Sequence, residues 1–329
     1  MGDVHGEIDA LRLLLWHLGY NKQGDHPEGR RLVFLGDLTD RGPDSPAVLE
    51  LVMQYVRAGR AQCILGNHEL NLLRKVNKDG NDWFMAPEKK GEFPFMPVGD
   101  QQRKEDFREF LRTLPVVLEN SELRVVHACW HPESITKLKA LDDSFDALYA
   151  YCKFEKGLYP DFDPPNMTHA ELENVLKNRS QEPPFMANLA RHDAEYQMSN
   201  PVRILTSGIE TPAEKPFRAG GKWRMVARVK WWEAYQDTTP IIIGHYWRRF
   251  ADLPPEMTDK DGPDLFEGVE PHHWLGPRQN VYCVDFSVGL RHKCRVENWP
   301  ENSFRLAALR WPEKQVMHDD GECTRLVDS

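Results

Sequence analysis

The chain of 329 residues is long enough for two domains, or for one domain with a large insertion. Its 40% hydrophobic and 28% charged residues are typical of a soluble globular protein, and its net charge of −9 argues against a broad basic face for duplex nucleic acid. The apolar run at 13–16 is far too short to cross a bilayer, so we expect no membrane partner.

Strands and helices are predicted to alternate through the first 130 residues. Apolar residues at helical spacing predict a helix over 7–18 and another over 45–57, with Ser45 as N-cap and Pro46 in the first turn. A further helix at 105–114 stops before Pro115. Short apolar runs predict strands at 31–35, 61–65 and 123–126. This alternation indicates a mainly parallel α/β sheet.

The alternation breaks at residues 131–222, which are rich in proline and aromatic residues and include a helix opened by a Thr168–Glu171 capping box. We predict that this segment is an inserted cap or lid between two parts of one core, 1–130 and 223–315. The core strands resume at 240–243, 281–286 and 304–309. Residues 316–329 are predicted to be an acidic tail, which is frayed from His318 onward.

Three glycine-led phrases dominate the sequence: GDVHG at 2–6, GDLTDRG at 36–42 and GNHE at 66–69. Each precedes a predicted helix, and their first glycines are about 30 residues apart, the length of one strand–helix–strand unit. Ligands of open α/β sheets bind at the carboxyl ends of the strands. The three phrases are therefore predicted to meet at one rim of the sheet.

Two histidines end later strands: His127 follows LRVV, and His245 follows IIIG. Carboxylate, imidazole and amide oxygen ligands together suit Mn, Fe or Zn, and two such ions can share a hydrolytic site. One phrase alone could be an ordinary glycine-rich turn. All three in order, with two histidines at strand ends, favour a metal site.

These phrases resemble those of the calcineurin-like metallophosphoesterase superfamily, and DRG with GNHE is most similar to its serine/threonine protein phosphatase branch. The runs GDLTDRGPDSPAVLELV, GNHELNLLRK and RVKWWEAY also resemble the phosphatase module of bacterial polynucleotide kinase-phosphatases, over 1–130 and 223–310. The resemblance implies an α/β fold in which a β-sandwich is flanked by helices, in four layers α/β/β/α, with the inserted cap.

The resemblance also implies six ligands for two divalent ions, with Mn expected first and Fe or Zn as alternatives. Asp3 and His5 would bind the first ion, Asp37 would bridge both, and the second ion would be held by Asn67, His127 and His245.

Three further roles follow from the same resemblance. His68 would be the general acid for the leaving oxygen, Asp40 would orient it, and Arg41 would hold the substrate phosphate. Arginine suits that task because it offers two parallel donors to phosphate oxygens. Asp285 is expected to support the site from a strand end.

The leading functional hypothesis is hydrolysis of phosphomonoesters by in-line attack of a metal-bridging hydroxide. The expected partner is a phosphorylated substrate: a protein, a nucleotide or a nucleic-acid end. The alternatives are a dinucleoside polyphosphate hydrolase or a phosphodiesterase, and, from another class, a pseudo-phosphatase that binds metal or a partner through the insertion without catalysis.

Two expectations concern the chain as a whole. Six cysteines without a CxxC pair, and the lack of a recognisable secretion signal, predict reduced thiols and a cytoplasmic protein. Because an apolar strand should precede the first glycine phrase, we also expect that a strand upstream of Met1 is missing from this sequence.

Overall fold

The computed structural model describes residues 1–78, 80–88, 94–141, 146–155, 167–250, 262–301 and 303–327. The helices described are α1 Ile8–His17, α2 Ser45–Arg57, α3 Asn67–Leu73, α4 Asp82–Met85, α5 Gln101–Arg112, α6 Pro132–Lys139, α7 Ala147–Glu155, α8 His169–Lys177, α9 Ala187–Met198, α10 Pro201–Ser207 and α11 Arg291–Glu297. The strands described are β1 Leu32–Phe34, β2 Ala61–Cys63, β3 Val117–Glu119, β4 Arg124–Val126, β5 Glu210–Ala219, β6 Lys222–Arg228, β7 Ile241–Ile243, β8 Val281–Cys283, β9 Ala307–Arg310, β10 Gln315–His318 and β11 Cys323–Arg325.

The core strands form three sheets. Strands β1 and β2 pair in parallel. A second sheet has the order β3-β4-β7-β8, in which β4, β7 and β8 are parallel. A third, antiparallel sheet has the order β11-β10-β9. The first residues of the chain join two of these sheets, because Leu35 N donates to Met1 O and Gly2 N donates to Ala307 O.

Alternate side chains of the short strands point to opposite faces, as the period of two requires. Ile242 of β7 and Tyr282 of β8 pack with Leu35 and Ile64, which follow β1 and β2, in a core between the sheets. Their neighbours along the strands belong to a second core, which includes the apolar faces of α1 and α2. This double-sided burial explains the unbroken apolar runs and confirms the predicted α/β fold of a sandwich flanked by helices.

Two details of the sequence interpretation were wrong. Asp44, rather than Ser45, caps α2, since its Oδ1 accepts from Ala47 N at 3.0 Å; the Ser45 hydroxyl instead accepts from Asp40 N. Residues 316–327 are also not a frayed tail. They supply most of the β10–β11 hairpin, and Val316 is fully buried.

The predicted insertion contains helices α6 to α10 among its described residues, and the capping box at Thr168 and Glu171 is present. It also contains β5, which pairs antiparallel with β6 from Glu210 to Arg228. The predicted boundary between residues 222 and 223 lies inside this hairpin. Strand β6 therefore begins at the last residue of the predicted insertion and continues into the second part of the core.

All six cysteines are free. In the described part of the chain, no helix is both long and apolar enough to cross a membrane.

Candidate metal centre and active site

The proposed ligands lie at the carboxyl ends of the core strands. His127 directly follows β4, His245 lies two residues after β7, and Asp37 lies three residues after β1. Asn67 is the first residue of α3, just beyond β2. The parallel strands thus deliver side chains from distant parts of the sequence to one rim, as the spacing of the phrases predicts.

Asp37 is the centre of this cluster. Its Oδ2 lies 3.3 Å from His127 Nε2, 3.8 Å from His5 Nε2 and 3.9 Å from His68 Nε2. All four side chains are buried. A single carboxylate that faces three imidazole nitrogens in this way can serve two ions at once.

Two groups of buried ligand atoms could each hold a metal ion: His5, Asp37 and His68 in one, and Asp37, His127 and His245 in the other. Among the residues that the structure describes, four buried polar atoms around these groups have no hydrogen-bond partner, and each belongs to a predicted ligand: Asp3 Oδ1, Asn67 Oδ1, His127 Nε2 and His245 Nε2. Because orphaned buried polar atoms are rare in folded proteins, these atoms fit ions as their missing partners.

Backbone carbonyls orient two of the imidazoles. His127 Nδ1 lies 2.7 Å from Leu35 O, and His5 Nδ1 lies 2.9 Å from Thr39 O. A proton on each Nδ1 satisfies that carbonyl and leaves the lone pair on Nε2, which points toward Asp37. Such contacts typically fix the tautomer of metal-binding histidines.

The electrostatics of the cluster favour positive charge at its centre. Burial alone would raise the pKa of Asp37, but His127 and His68 hold it well below its usual range. Burial opposes protonation of His127, yet Asp37 and Asp3 raise its pKa to about 10. The buried carboxylates thus stabilise a cation, which a divalent ion would replace with higher charge.

The other two histidine ligands are held neutral. Burial and the charge of Arg41 lower the pKa of His5 well below its usual value. Burial and the charge of Arg228 do the same for His245. A neutral imidazole has a free lone pair, which is the form that binds a metal.

His68 is oriented by a buried carboxylate. Its Nδ1 lies 2.6 Å from Asp40 Oδ2, and Asp40 Oδ1 accepts from Trp83 Nε1 at 2.7 Å. Asp40 and Trp83 are both almost fully buried. The ring is therefore held so that Nε2 faces the cavity, although the sequence interpretation had not identified Trp83.

The guanidinium of Arg41 is half-buried beside the cluster. Its Nη1 lies 3.0 Å from His5 Nε2 and its Nη2 lies 3.1 Å from His68 Nε2. Its Cζ lies 4.6 Å from the centroid of the Trp247 ring. This cation–π contact places Arg41 between the metal ligands and the open cavity.

The backbone is strained at the same place. Six of the residues described here have left-handed φ values between 46° and 72°, although none is glycine: His5, Asp37, Asp40, Arg41, His245 and Trp247. Such conformations are uncommon for residues with a Cβ and concentrate at functional sites, where the surrounding structure holds them.

Two glycines are required by close approach. A Cβ at Gly66 would collide with Asp37 Oδ1, and a Cβ at Gly244 would collide with Asp3 Oδ1. The glycines of GNHE and of IIIGH therefore leave the space that the two carboxylates fill.

Glu69 was given no role from the sequence, although it is the last residue of GNHE. Its buried carboxylate accepts from Asp37 N at 2.8 Å, Leu38 N at 2.8 Å, Thr39 Oγ1 at 3.2 Å and Gly66 N at 3.1 Å. It thereby ties the loop of Asp37 to the loop of Asn67. Its position directly after Asn67 and His68 in GNHE was the sequence signal that could have identified it.

Asp285 has the supporting position that the sequence predicts. Its carboxylate accepts from Trp247 N and from Ser287 N, each at 2.8 Å. Its charge also raises the pKa of Asp3, after the larger effect of burial. It therefore fixes the strained turn that carries His245 and Trp247.

A cavity of about 930 Å³ opens beside the cluster, with Arg41, His68, His245 and Trp247 in its wall. This volume lies in the range of small-molecule sites.

Comparison with known proteins identifies relatives of this arrangement. The family model of the calcineurin-like phosphoesterases matches residues 1–175, more than half of the chain. The asymmetrical bis(5′-nucleosyl)-tetraphosphatase PrpE of Bacillus subtilis is 34% identical over 145 residues, which are 42% of this chain and 59% of that protein. The protein of the same name from Halalkalibacterium halodurans is 51% identical over 77 residues, 22% of this chain and 31% of its own.

The match thus spans between about a third and three fifths of these curated relatives. Among solved structures, a cold-active protein-tyrosine phosphatase of a psychrophilic Shewanella species aligns with 99% of this chain and 78% of its own, with 16% identity and a TM-score of 0.46. The extent of the family match, which includes all three glycine phrases and His127, decides the assignment. The chain belongs to the calcineurin-like phosphoesterase family.

Proposed function

We propose that this protein is a metal-dependent phosphatase that hydrolyses phosphate monoesters. The observation that carries the proposal is the buried Asp37, near which four predicted ligand atoms have no hydrogen-bond partner among the described residues. Asp3, His5, Asp37, Asn67, His127 and His245 would hold two divalent ions. When bound, such ions supply an activated water and neutralise the charge that develops on a phosphoryl group.

The chain's own side chains complete the reaction. Arg41 would hold two phosphate oxygens through its parallel N–H groups. His68 Nε2 would deliver a proton to the departing oxygen, while Asp40 holds the opposite side of the ring. Arg41 and His68 line one cavity, and Asp40 contacts His68 on the other side of its ring. This combination supports an enzyme over a scaffold that only binds metal or a partner.

Turnover of p-nitrophenyl phosphate tests the proposal. Protein stripped of metal by a chelator should be inactive and should regain activity when Mn is added back, with Fe and Zn tested in parallel. A fully metal-loaded protein that hydrolysed no ester in a broad panel of phosphoproteins, nucleotides and RNA ends would favour the scaffold. We propose Mn as the ion and the cytoplasm as the compartment.

Replacing His127 with alanine should lower the metal content by about one ion per chain, because the second group of ligands loses the nitrogen nearest to Asp37. Elemental analysis of the purified variant measures this directly. His131→Ala is the matched control, since that histidine lies outside both groups and contacts Ser134. Retention of two ions by His127→Ala would contradict the assignment.

Replacing Trp247 with alanine should raise the KM for an aryl phosphate roughly three- to tenfold, because Arg41 loses the ring that holds it. Trp247→Phe should retain most of the affinity, since a smaller ring still faces the guanidinium. Steady-state kinetics separates the two constants. A fall in kcat at unchanged KM would show that Trp247 does not act through phosphate binding.

A second candidate is hydrolysis of dinucleoside polyphosphates. The observation that favours it is the name of the curated relatives, which are bis(5′-nucleosyl)-tetraphosphatases. The same residues would act in either case, since a phosphoryl group is transferred to water in both reactions. Comparing kcat/KM for a nucleoside monophosphate and a dinucleoside tetraphosphate distinguishes the two candidates.

A further inference from the structure

The wall of the cavity is positively charged, whereas the chain as a whole is negatively charged. Eight lysine and arginine residues but only three aspartate and glutamate residues lie in its described wall, whereas the net charge of the chain is −9. Arg41 accounts for one of the cations at the candidate active site. The others are distributed over the rest of the cavity, so the positive charge extends well beyond a single phosphate.

The strand β6 presents a row of these cations to the cavity. Because side chains alternate along a strand, Lys222, Arg224 and Arg228 share one face. On the opposite face, Met225 packs in a small core with α8 and α9, and Trp223 Nε1 donates to a backbone carbonyl at 2.8 Å. Contacts between the opposite face of β6 and the inserted segment therefore hold Lys222, Arg224 and Arg228 in place.

The row begins at the metal centre and leads away from it. Arg228 lies at the metal-centre end, since its Cζ is 5.6 Å from the centroid of the ring of Tyr246, the residue after His245. Arg228 is six positions along the strand from Lys222, a distance of roughly 20 Å. At the far end, Lys78 adds a fourth cation to the cavity wall.

These four cations lack a carboxylate at salt-bridge distance in the described part of the chain. In the described ranges of the chain, none of Lys78, Lys222, Arg224 or Arg228 forms a salt bridge, whereas Arg203 in the same cavity pairs with Glu155 at 2.6 Å.

Three carboxylates attract these cations: Glu210, which lies opposite Arg228 in the β5–β6 register, Asp193 and Glu173. Among the described residues, none of the three forms a salt bridge to Lys78, Lys222, Arg224 or Arg228. Burial and the charge of the neighbouring cations lower the pKa of Lys222. Cations that are crowded together and partly shielded from water repel one another, and a bound polyanion relieves that repulsion.

We propose that Lys222, Arg224 and Arg228, with Lys78, bind phosphates of the substrate that are not themselves attacked. The proposal rests on the second candidate under the proposed function, since phosphates in a chain are joined by anhydride bonds, and the attacked phosphate would lie at Arg41. It assigns a substrate class: a small molecule with several phosphates in a chain. The cavity volume suits such a ligand, and the acidic chain disfavours a long nucleic-acid strand.

The test uses the metal-loaded protein and the double variant Lys222→Gln/Arg224→Gln, neither of which belongs to the catalytic machinery. Inorganic tripolyphosphate is the probe, measured by calorimetric titration and as an inhibitor of p-nitrophenyl phosphate turnover. Its Kd should rise roughly ten- to hundredfold in the double variant, since each lost contact joins two charged groups. Turnover of p-nitrophenyl phosphate, with its single phosphate, should remain unchanged.

Lys215→Gln is the matched control, because Lys215 lies on the exposed part of the same hairpin and outside the cavity. It should leave both measurements unchanged, and thermal unfolding of all variants should show that the hairpin remains folded. Equal loss of tripolyphosphate binding in the control, or unchanged binding in the double variant, overturns the proposal.

Two outcomes distinguish a failure of this inference from a failure of the proposed function. If wild-type protein hydrolyses the aryl phosphate but does not bind tripolyphosphate, the row is not a phosphate site and the phosphatase proposal stands. If no ester is hydrolysed at all, the phosphatase proposal itself fails. A 5′-phosphorylated oligonucleotide that binds more tightly than tripolyphosphate, and loses affinity in the double variant, would overturn the small-molecule class.

Discussion

Replacing His68 with alanine is expected to lower kcat for an alkyl phosphate by roughly 10²- to 10⁴-fold, the usual contribution of a general acid. The reason is geometric. Asp40 holds Nδ1 at 2.6 Å, and Nε2 faces the cavity where the leaving oxygen would lie. Without the ring, an alkoxide must leave without a proton.

The choice of leaving group makes this prediction specific. Nitrophenolate is stable without a proton, so p-nitrophenyl phosphate should lose much less activity than the alkyl ester in the same variant. Rates for both esters, measured at equal metal loading, test the assignment. The structure also groups His68 with His5 and Asp37 as possible ligands. A variant that lost metal, and lost both activities equally, would show that His68 is a ligand instead.

Replacing Glu69 with glutamine is expected to lower the free energy of unfolding by about 3 kcal/mol, because the buried carboxylate receives hydrogen bonds from three backbone amides and a hydroxyl. Glutamine keeps the shape but turns one acceptor into a donor, which would face other donors. Urea unfolding at constant slope measures the change.

The matched control for this prediction is Glu50→Gln. Glu50 pairs with a cation, Arg103, at 2.6 Å, and both side chains are about half exposed to solvent. Exposed pairs contribute about 1 kcal/mol or less. Equal effects of the two substitutions would show that the contacts of Glu69 do not hold the ligand loops together.

The candidate site was largely predictable because its ligands follow glycines at strand ends. Gly66 and Gly244 leave room for the carboxylates of Asp37 and Asp3. Each of these glycines also directly precedes another predicted ligand, Asn67 or His245, so glycine and ligand appear together in the sequence. His127 was recognisable because a polar residue ends an otherwise apolar run. In each case the local sequence shows what the site needs. A buried apolar strand is followed by a turn, and the turn brings a polar side chain to the rim of the sheet.

The residues that were missed act through long-range contacts. Trp83 is 43 residues away from Asp40 in the sequence. Trp247, which contacts Arg41, belongs to the second part of the core, beyond the inserted segment. An isolated tryptophan has no local pattern that separates such a role from ordinary packing. The β10–β11 hairpin was missed for a related reason: its acidic composition suggested solvent exposure, whereas pairing with β9 buries Val316 and His318.

The continuity of β6 limits how the cavity could open. The strand runs unbroken from Lys222 to Arg228, which both lie in the cavity wall, and its partner β5 belongs to the inserted segment. A paired strand transmits tilt along its length instead of absorbing it. Within β6, which the structure describes completely, no break separates the inserted segment from the core, so a movement of Lys222 that widens the cavity must also shift Arg228.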